Sequence, residues 1–205
     1  PYTTLFRSTV ATYKKALDVM AEKSDVDIQI LAVPGIRESN VTDHALDKTE
    51  ERFDAIYIMD IEERDTANNV VTSSIEEIGV NNTVQDFKNR TLDSSFGAAY
   101  FPDVIIKDPT TLTNLRCPPS VAVIGAFALN DTVAYPWFAP AGFTRGGLSE
   151  GSAGVPVIGV SQRLTSKDRD ELYDVNINPI AQFPAEGIVI FGQKTLQATP
   201  SALDR

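Results

Sequence analysis

Cysteine, histidine and tryptophan occur once each in these 205 residues, as Cys117, His44 and Trp137. A lone thiol excludes an internal disulfide and suits a reducing compartment. It also leaves no second thiol for a zinc or redox site, so a buried or half-buried Cys117 ahead of a Pro-Pro helix start is expected. A lone imidazole means that any Ser-His-Asp system must use His44, and no nucleophile elbow is expected to serve it. Positive charge is also scarce: 18 Lys and Arg stand against 28 Asp and Glu, a net charge of -10. That balance disfavours nucleic-acid backbones and anionic membranes as partners. No apolar run approaches the length of a membrane span, no stretch has the signal-peptide pattern, and there is no internal repeat. Sequons at Asn40, Asn81, Asn89 and Asn130 read as chance matches in an Asn- and Thr-rich chain.

What remains is an ordinary globular composition, 42% hydrophobic and 22% charged, long enough for a sizeable core. Helix and strand patterns alternate. Ser8 reads as the cap of a helix over 9–23, with Val10, Tyr13, Leu17 and Met20 as its buried stripe. Residues 28–33 form an apolar run closed by Pro34-Gly35, which predicts a buried strand. Thr42 reads as the cap of a second helix carrying Ala45, Leu46, Thr49 and Phe53 on one face. A second buried strand is expected over 55–61, completing a βαβ unit in an α/β layer.

Residues 62–97 are more polar and predict a surface excursion with one helical turn near 84–88. Short strands are expected at 98–101 and 104–107, separated by Pro102-Asp103. Pro118-Pro119 opens a helix whose body is 121–129. The loop over 135–147 is too rich in Pro, Gly and aromatics to be regular, and Trp137 and Phe138 are expected to pin it to the core. A strand over 155–160 follows, then a helix near 166–173 whose Thr165 and Asp168 match a capping box. Pro179 predicts a turned or extended connection at 178–180, and Gly187 to Gly192 brackets an apolar strand buried on both faces. The fold class is α/β (α+β): a mixed sheet layer flanked by helices.

Chemistry-bearing candidates are few. Asp60 ends an apolar strand with Glu62 and Glu63 beyond it, the placing of a magnesium-holding acid in an α/β enzyme. The phosphate loop such an enzyme needs is incomplete: Gly146 and Gly151 have the spacing, but Ser152-Ala153 stands where Lys-Ser/Thr is required. A solvated acidic turn is the simpler account of Asp60. The Gly-rich stretch 146–151 can form an anion nest, although a loop is the plainer reading. No catalytic, cofactor-binding or metal residue is assigned.

Several strings point elsewhere. Ile177-Asn178-Pro179-Ile180, then Phe183-Pro184, then 187–196 (GIVIFGQKTL) and 201–205 (SALDR) resemble the tail sheath protein of contractile bacteriophages. That family has an INPI-like segment before a strand ending in WGQ(K/R)TL; Phe191 stands here where Trp is usual. Pro118-Pro119-Ser120, Asp131, the 137–142 stretch (WFAPAG) and Arg145-Gly146 follow the family's order as well. The resemblance covers about residues 98–205, and residues 1–61 fit the family's α/β part without a distinctive string.

The resemblance implies a structural subunit, not a catalyst. Such subunits stack as six-membered rings around a tail tube in a metastable extended state, then repack and shorten to drive the tube through the host envelope. Implied partners are neighbouring subunits, the tail tube protein, the baseplate and the tail terminator, with no cofactor. Bacteriocin or type VI secretion-like sheaths are the near alternative, and a metal- or nucleotide-dependent enzyme using Asp60 the remote one. Charged lateral contacts are expected between acids such as Glu50, Glu51 and Asp168 and bases such as Lys14, Lys15 and Arg163. Because the chain begins at Pro1 and ends at Arg205, it reads as a truncated or protease-resistant core without the family's terminal arms. Those arms add strands to neighbours, a main-chain linkage. The isolated chain is therefore expected to be monomeric at high concentration; light scattering that finds stable hexamers or tubes contradicts this.

Overall fold

A computed structural model describes residues 2–72, 76–149, 154 and 156–199, with backbone alone for 2–6. In chain order the elements are α1 (Tyr2–Met20), β1 (Ile30–Ala32), α2 (Ser39–Arg52), β2 (Ile56–Asp60), α3 (Val80–Asn89), β3 (Gly97–Phe101) and β4 (Val104–Lys107). They continue with β5 (Asn114–Cys117), α4 (Pro119–Val133), α5 (Gly142–Arg145), β6 (Val157–Val160), α6 (Ser166–Asp174), β7 (Ile177–Phe183) and β8 (Gly187–Ile190). A five-stranded sheet has the order β1-β2-β3-β7-β8; its strands are parallel except for β8, which returns antiparallel to β7. A second, antiparallel sheet has the order β5-β4-β6. The expected α/β architecture, a mixed sheet layer flanked by helices, is found.

The large sheet is covered on both faces, which is why its strands are mostly apolar. Successive residues point to opposite faces. Tyr57, Met59, Ala99, Phe101 and Ile177 pack with Leu17, Ala45, Leu46, Val84, Phe87 and Leu172 of the helices α1, α2, α3 and α6. Ile58, Ala98, Tyr100, Ile180, Ile188 and Ile190 face the other way, onto Ala122, Val123 and Ala126 of α4 and Val104 and Val157 of the small sheet. The Thr165 and Asp168 capping box forms as expected, with Thr165 Oγ1 accepting from the Asp168 amide at 3.2 Å.

Several elements differ from expectation. The first helix begins at Tyr2, so Ser8 is interior and caps nothing; its carbonyl accepts from Thr12 Oγ1 instead. Met20 is exposed, while Leu17 anchors the stripe. Glu38, not Thr42, occupies the N-cap of α2, and Thr42 is buried one turn inside. Phe53 leaves the buried face because the helix closes on it in the left-handed conformation, φ 61°. The turn expected near 84–88 is the full helix α3, and it puts Val80, Val84 and Phe87 in the core beside Ile78. Residues 178–180 are not a connection but part of the interior strand β7. Pro179 is tolerated because it pairs with Phe101, the last residue of β3, where the ladder ends. Residues 150–153, 155 and 200–205, including Ser152-Ala153 and the terminal SALDR string, lie outside the described residues.

Two of the strings singled out in the sequence form one physical unit. Asn178 is fully buried; its Nδ2 donates to the carbonyls of Ala99 (3.1 Å) and Lys194 (2.8 Å), and its Oδ1 accepts from the Lys194 amide at 2.8 Å. The strand-exit segment must pass directly over it. A Cβ on Gly192 would lie 2.7 Å from Asn178 Oδ1 and 2.8 Å from its Cα, so only glycine fits. Beyond β8, residues 146–149 close the sheet edge: the Leu148 amide donates to the Ile188 carbonyl and the Ile190 amide to the Gly146 carbonyl, both at 2.8 Å. Asn178→Ala orphans backbone groups of β3 and of the segment after β8 and is expected to cost about 2–4 kcal/mol. Gly192→Ala should destabilise in the same sense. Urea unfolding in which neither variant shifts the midpoint contradicts the clamp.

Candidate functional site

Open α/β sheets bind ligands beyond the carboxyl ends of their parallel strands, and here that crevice is filled by the protein's own charges. Asp60 ends β2 and is 2% exposed. It accepts from the amides of Gly35 and Ser120, each at 3.0 Å, and from Ser120 Oγ at 2.8 Å. These bonds tie the loop after β1, the end of β2 and the first turn of α4 together. Burial nevertheless pushes the Asp60 carboxyl above its ordinary value, because the opposing hydrogen bonds and Arg37 offset only part of the desolvation. The acid singled out as a metal holder is thus spent on backbone and hydroxyl donors. Among the described residues no cluster of His, Cys, Asp and Glu is placed to hold a metal ion.

Next to it lies an ionic cluster that sequence reasoning did not foresee. Glu63, 2% exposed, and buried Asp103 meet Arg37 and Arg116. Arg37 bonds Asp103 and stands 3.8 Å from Glu63. Arg116 bonds Glu63 through one nitrogen and Asp103 through Nε at 2.7 Å. Glu63 Oε1 also accepts from the Asp103 amide at 3.1 Å. Two carboxylates and two guanidiniums balance, which makes burial tolerable; removing one partner of such a pair typically costs about 3–5 kcal/mol. Glu62 turns outward to Arg64 at 2.5 Å. Nothing in the local string marks Arg37 or Arg116, since their partners are distant in the chain.

The other candidates are scattered. His44 lies on α2 and pairs with Asp18 at 2.8 Å. Cys117 is half-buried on β5, and burial raises its thiol. Contrary to expectation, the chain does contain the G-x-S-x-G spacing, at 147–151. Ser149 is nevertheless no elbow nucleophile: its Oγ accepts from the Ile188 amide at 2.6 Å along the edge of β8, and no histidine neighbours it. Of the expected lateral contacts, Asp168 is engaged in the capping box and Glu51 pairs with Lys48 at 2.8 Å.

The loop after α4 corrects the sequence reading most sharply. Trp137 is 74% exposed, and Phe138 is also exposed, so neither pins the loop to the core. Tyr135 and Trp137 stack face to face, ring centroids 4.8 Å apart, with Phe138 edge-on and the Arg145 guanidinium 4.6 Å from its ring. Asn130 Nδ2, donating to the Phe138 carbonyl at 2.8 Å, shapes the loop instead. An open groove of about 780 Å³ runs beside it, lined by Leu129, Val133, Tyr135, Phe138 and Arg145. A second aromatic group, Phe143, Phe183 and Phe191, lies at the β8 edge under Arg169. Exposed aromatics with arginine are the composition of interaction surfaces.

No protein-family profile matches the chain. Individual proteins do. The tail sheath protein of Vibrio phage KVP40 is 40% identical over 92 residues, 45% of this chain and 13% of that protein. The tail sheath protein of Enterobacteria phage T4 is 24% identical over 206 residues, 96% of this chain and 30% of its own length. The chain thus spans less than a third of either relative. Among solved structures, the contracted helical sheath of the anti-feeding prophage matches with a TM-score of 0.58 at 22% identity, over 93% of this chain and 44% of that one. The contracted sheath complex of an extracellular contractile injection system also gives 0.58 at 22%, over 85% and 42%. The resemblance read from the INPI and GQKTL strings is therefore matched by homologues that are tail sheath proteins.

Burial and the Asp103 charge push Glu63 from its ordinary 4.5 to about 7, against the pull of Arg37 and Arg116. Between those values the folded state keeps a proton that the unfolded chain has released. Stability therefore falls as pH rises from about 4.5 to about 7 and levels off above. Glu63→Gln should remove this component, so the difference between the wild-type and variant unfolding midpoints should change across that window. Parallel profiles contradict the assignment.

Proposed function

We propose that this chain, whose relatives are contractile tail sheath proteins, is the body of a sheath subunit. In this reading it stacks as hexameric rings around a tail tube, meets the baseplate and a tail terminator at the ends, and drives the tube through the host envelope on contraction. It belongs to the virion and assembles in the host cytoplasm. The observation that carries the reading is the 40% identity to a phage tail sheath protein over 92 residues, joined to weaker identity over 96% of the chain.

The geometry supports a mechanical role in two ways. The crevice where an α/β enzyme would bind its ligand is occupied by Asp60 with its donors and by the Glu63–Arg116–Asp103–Arg37 cluster. The outer surface, by contrast, exposes aromatics that a solitary soluble body has no use for. In this role the work is stored between subunits, and contacts that do not close into a dimer build the helix.

The full-length gene product, co-expressed with its tube protein, should form long hollow cylinders under negative stain. It should also show no heat on titration with magnesium and nucleotide. Failure to form cylinders, or saturable nucleotide binding abolished by Asp60→Asn, contradicts the proposal.

A further inference from the structure

We propose that the groove beside the end of α4 receives the Phe53–Phe96 corner of a second copy of this chain, in a head-to-tail contact between unlike patches. This rests on the polymerising role proposed above. The groove side exposes Val133, Tyr135, Trp137 and Phe138, and its cation, Arg145, makes no ion pair among the described residues. A rigid aromatic wall with a guanidinium that has no carboxylate partner among the described residues is a ready anchor site.

The opposing side is formed where α2 ends. Phe53 is 72% exposed and held at φ 61°, a backbone region where helix ends ordinarily place glycine and where a bulky ring is an outlier. Its ring meets Phe96 edge-on at 5.1 Å, and exposed Val19 and Met20 lie close by, since Arg52 Nη1 donates to the Met20 carbonyl. The surroundings carry more acids than bases: Glu22, Asp25, Asp27 and Asp54 are exposed there, with Asp54 paired to Arg52 and Lys23.

Charge selects the pairing. Residues 1–97 hold 18 of the 28 acids but only 10 of the 18 bases, so the Phe53 corner belongs to the acidic half and the groove to the near-neutral one. A cationic aromatic groove and an acid-ringed phenylalanine corner complement each other. They also sit in the outer layers on opposite faces of the large sheet, one with α1 and α2, the other with α4. Each copy thus presents both halves in different directions, and repetition of such a contact propagates instead of closing. The chain carries both halves itself, which favours a second copy over a tube subunit as the occupant.

The test uses the full-length protein assembled with its tube. With benzoylphenylalanine replacing Trp137, irradiation should crosslink to residues near 53 or 96 of a neighbouring copy. A crosslink to the tube protein, or to another face of a copy, overturns the inference. In parallel, Phe53→Gly suits the left-handed backbone, so its unfolding midpoint should hold or rise while the critical concentration for assembly rises roughly tenfold or more. An unchanged critical concentration overturns the inference alone. Wild-type protein that forms no cylinders overturns the sheath reading itself.

Discussion

Two buried carboxylates and two half-buried guanidiniums at the strand ends decide how the two sheets sit on one another. Glu63 follows β2, Asp103 links β3 to β4, Arg37 comes from the loop after β1, and Arg116 belongs to β5 of the small sheet. Each charge is compensated only when all four segments are docked. Partial separation would leave a charge buried without its partner, which costs more than the pair gains. The apolar faces alone would allow the small sheet to slide; the ionic cluster allows one arrangement. Asp60 adds a second tie, from β2 to the loop after β1 and the start of α4.

That rigidity suits a part that moves against copies of itself. In the proposed role, free energy is stored in contacts between subunits, so the body must transmit displacement without absorbing it. Its surface is correspondingly uneven. The sheet edge at β8 is closed by residues 146–149, whereas the ends of α2 and α4 leave aromatic rings in solvent. Unlike patches on opposite faces are the feature a helical polymer needs and an isolated domain does not.

Most local signals in the sequence were reliable, the caps read at Ser8 and Thr42 excepted. The apolar runs became β2, β3 and β8, the Pro-Pro step opened α4, and Thr165 with Asp168 formed the capping box of α6. Signals that depend on tertiary partners were not. Residues 178–180 looked like a connection because proline weakens a strand, yet their place opposite the end of β3 makes the missing donor harmless. Trp137 looked like a core anchor because large aromatics usually are; nothing in the string shows that its loop stacks on itself. The Glu63 cluster bonds residues up to 66 positions apart, so no spacing rule could find it. The INPI and GQKTL strings were recognisable as family features, but only the structure explains them, through Asn178 bonding Lys194 while Gly192 passes over it.

The central claim is that this chain is one rigid body which repacks against its neighbours. It is tested most directly by cryo-electron microscopy of the full-length protein in extended and contracted cylinders. Residues 2–199 should superpose between the two states with Arg116 still bridging Glu63 and Asp103, and all displacement should lie between copies. A contracted state in which the small sheet has left the large one, or in which that bridge is broken, would contradict the account.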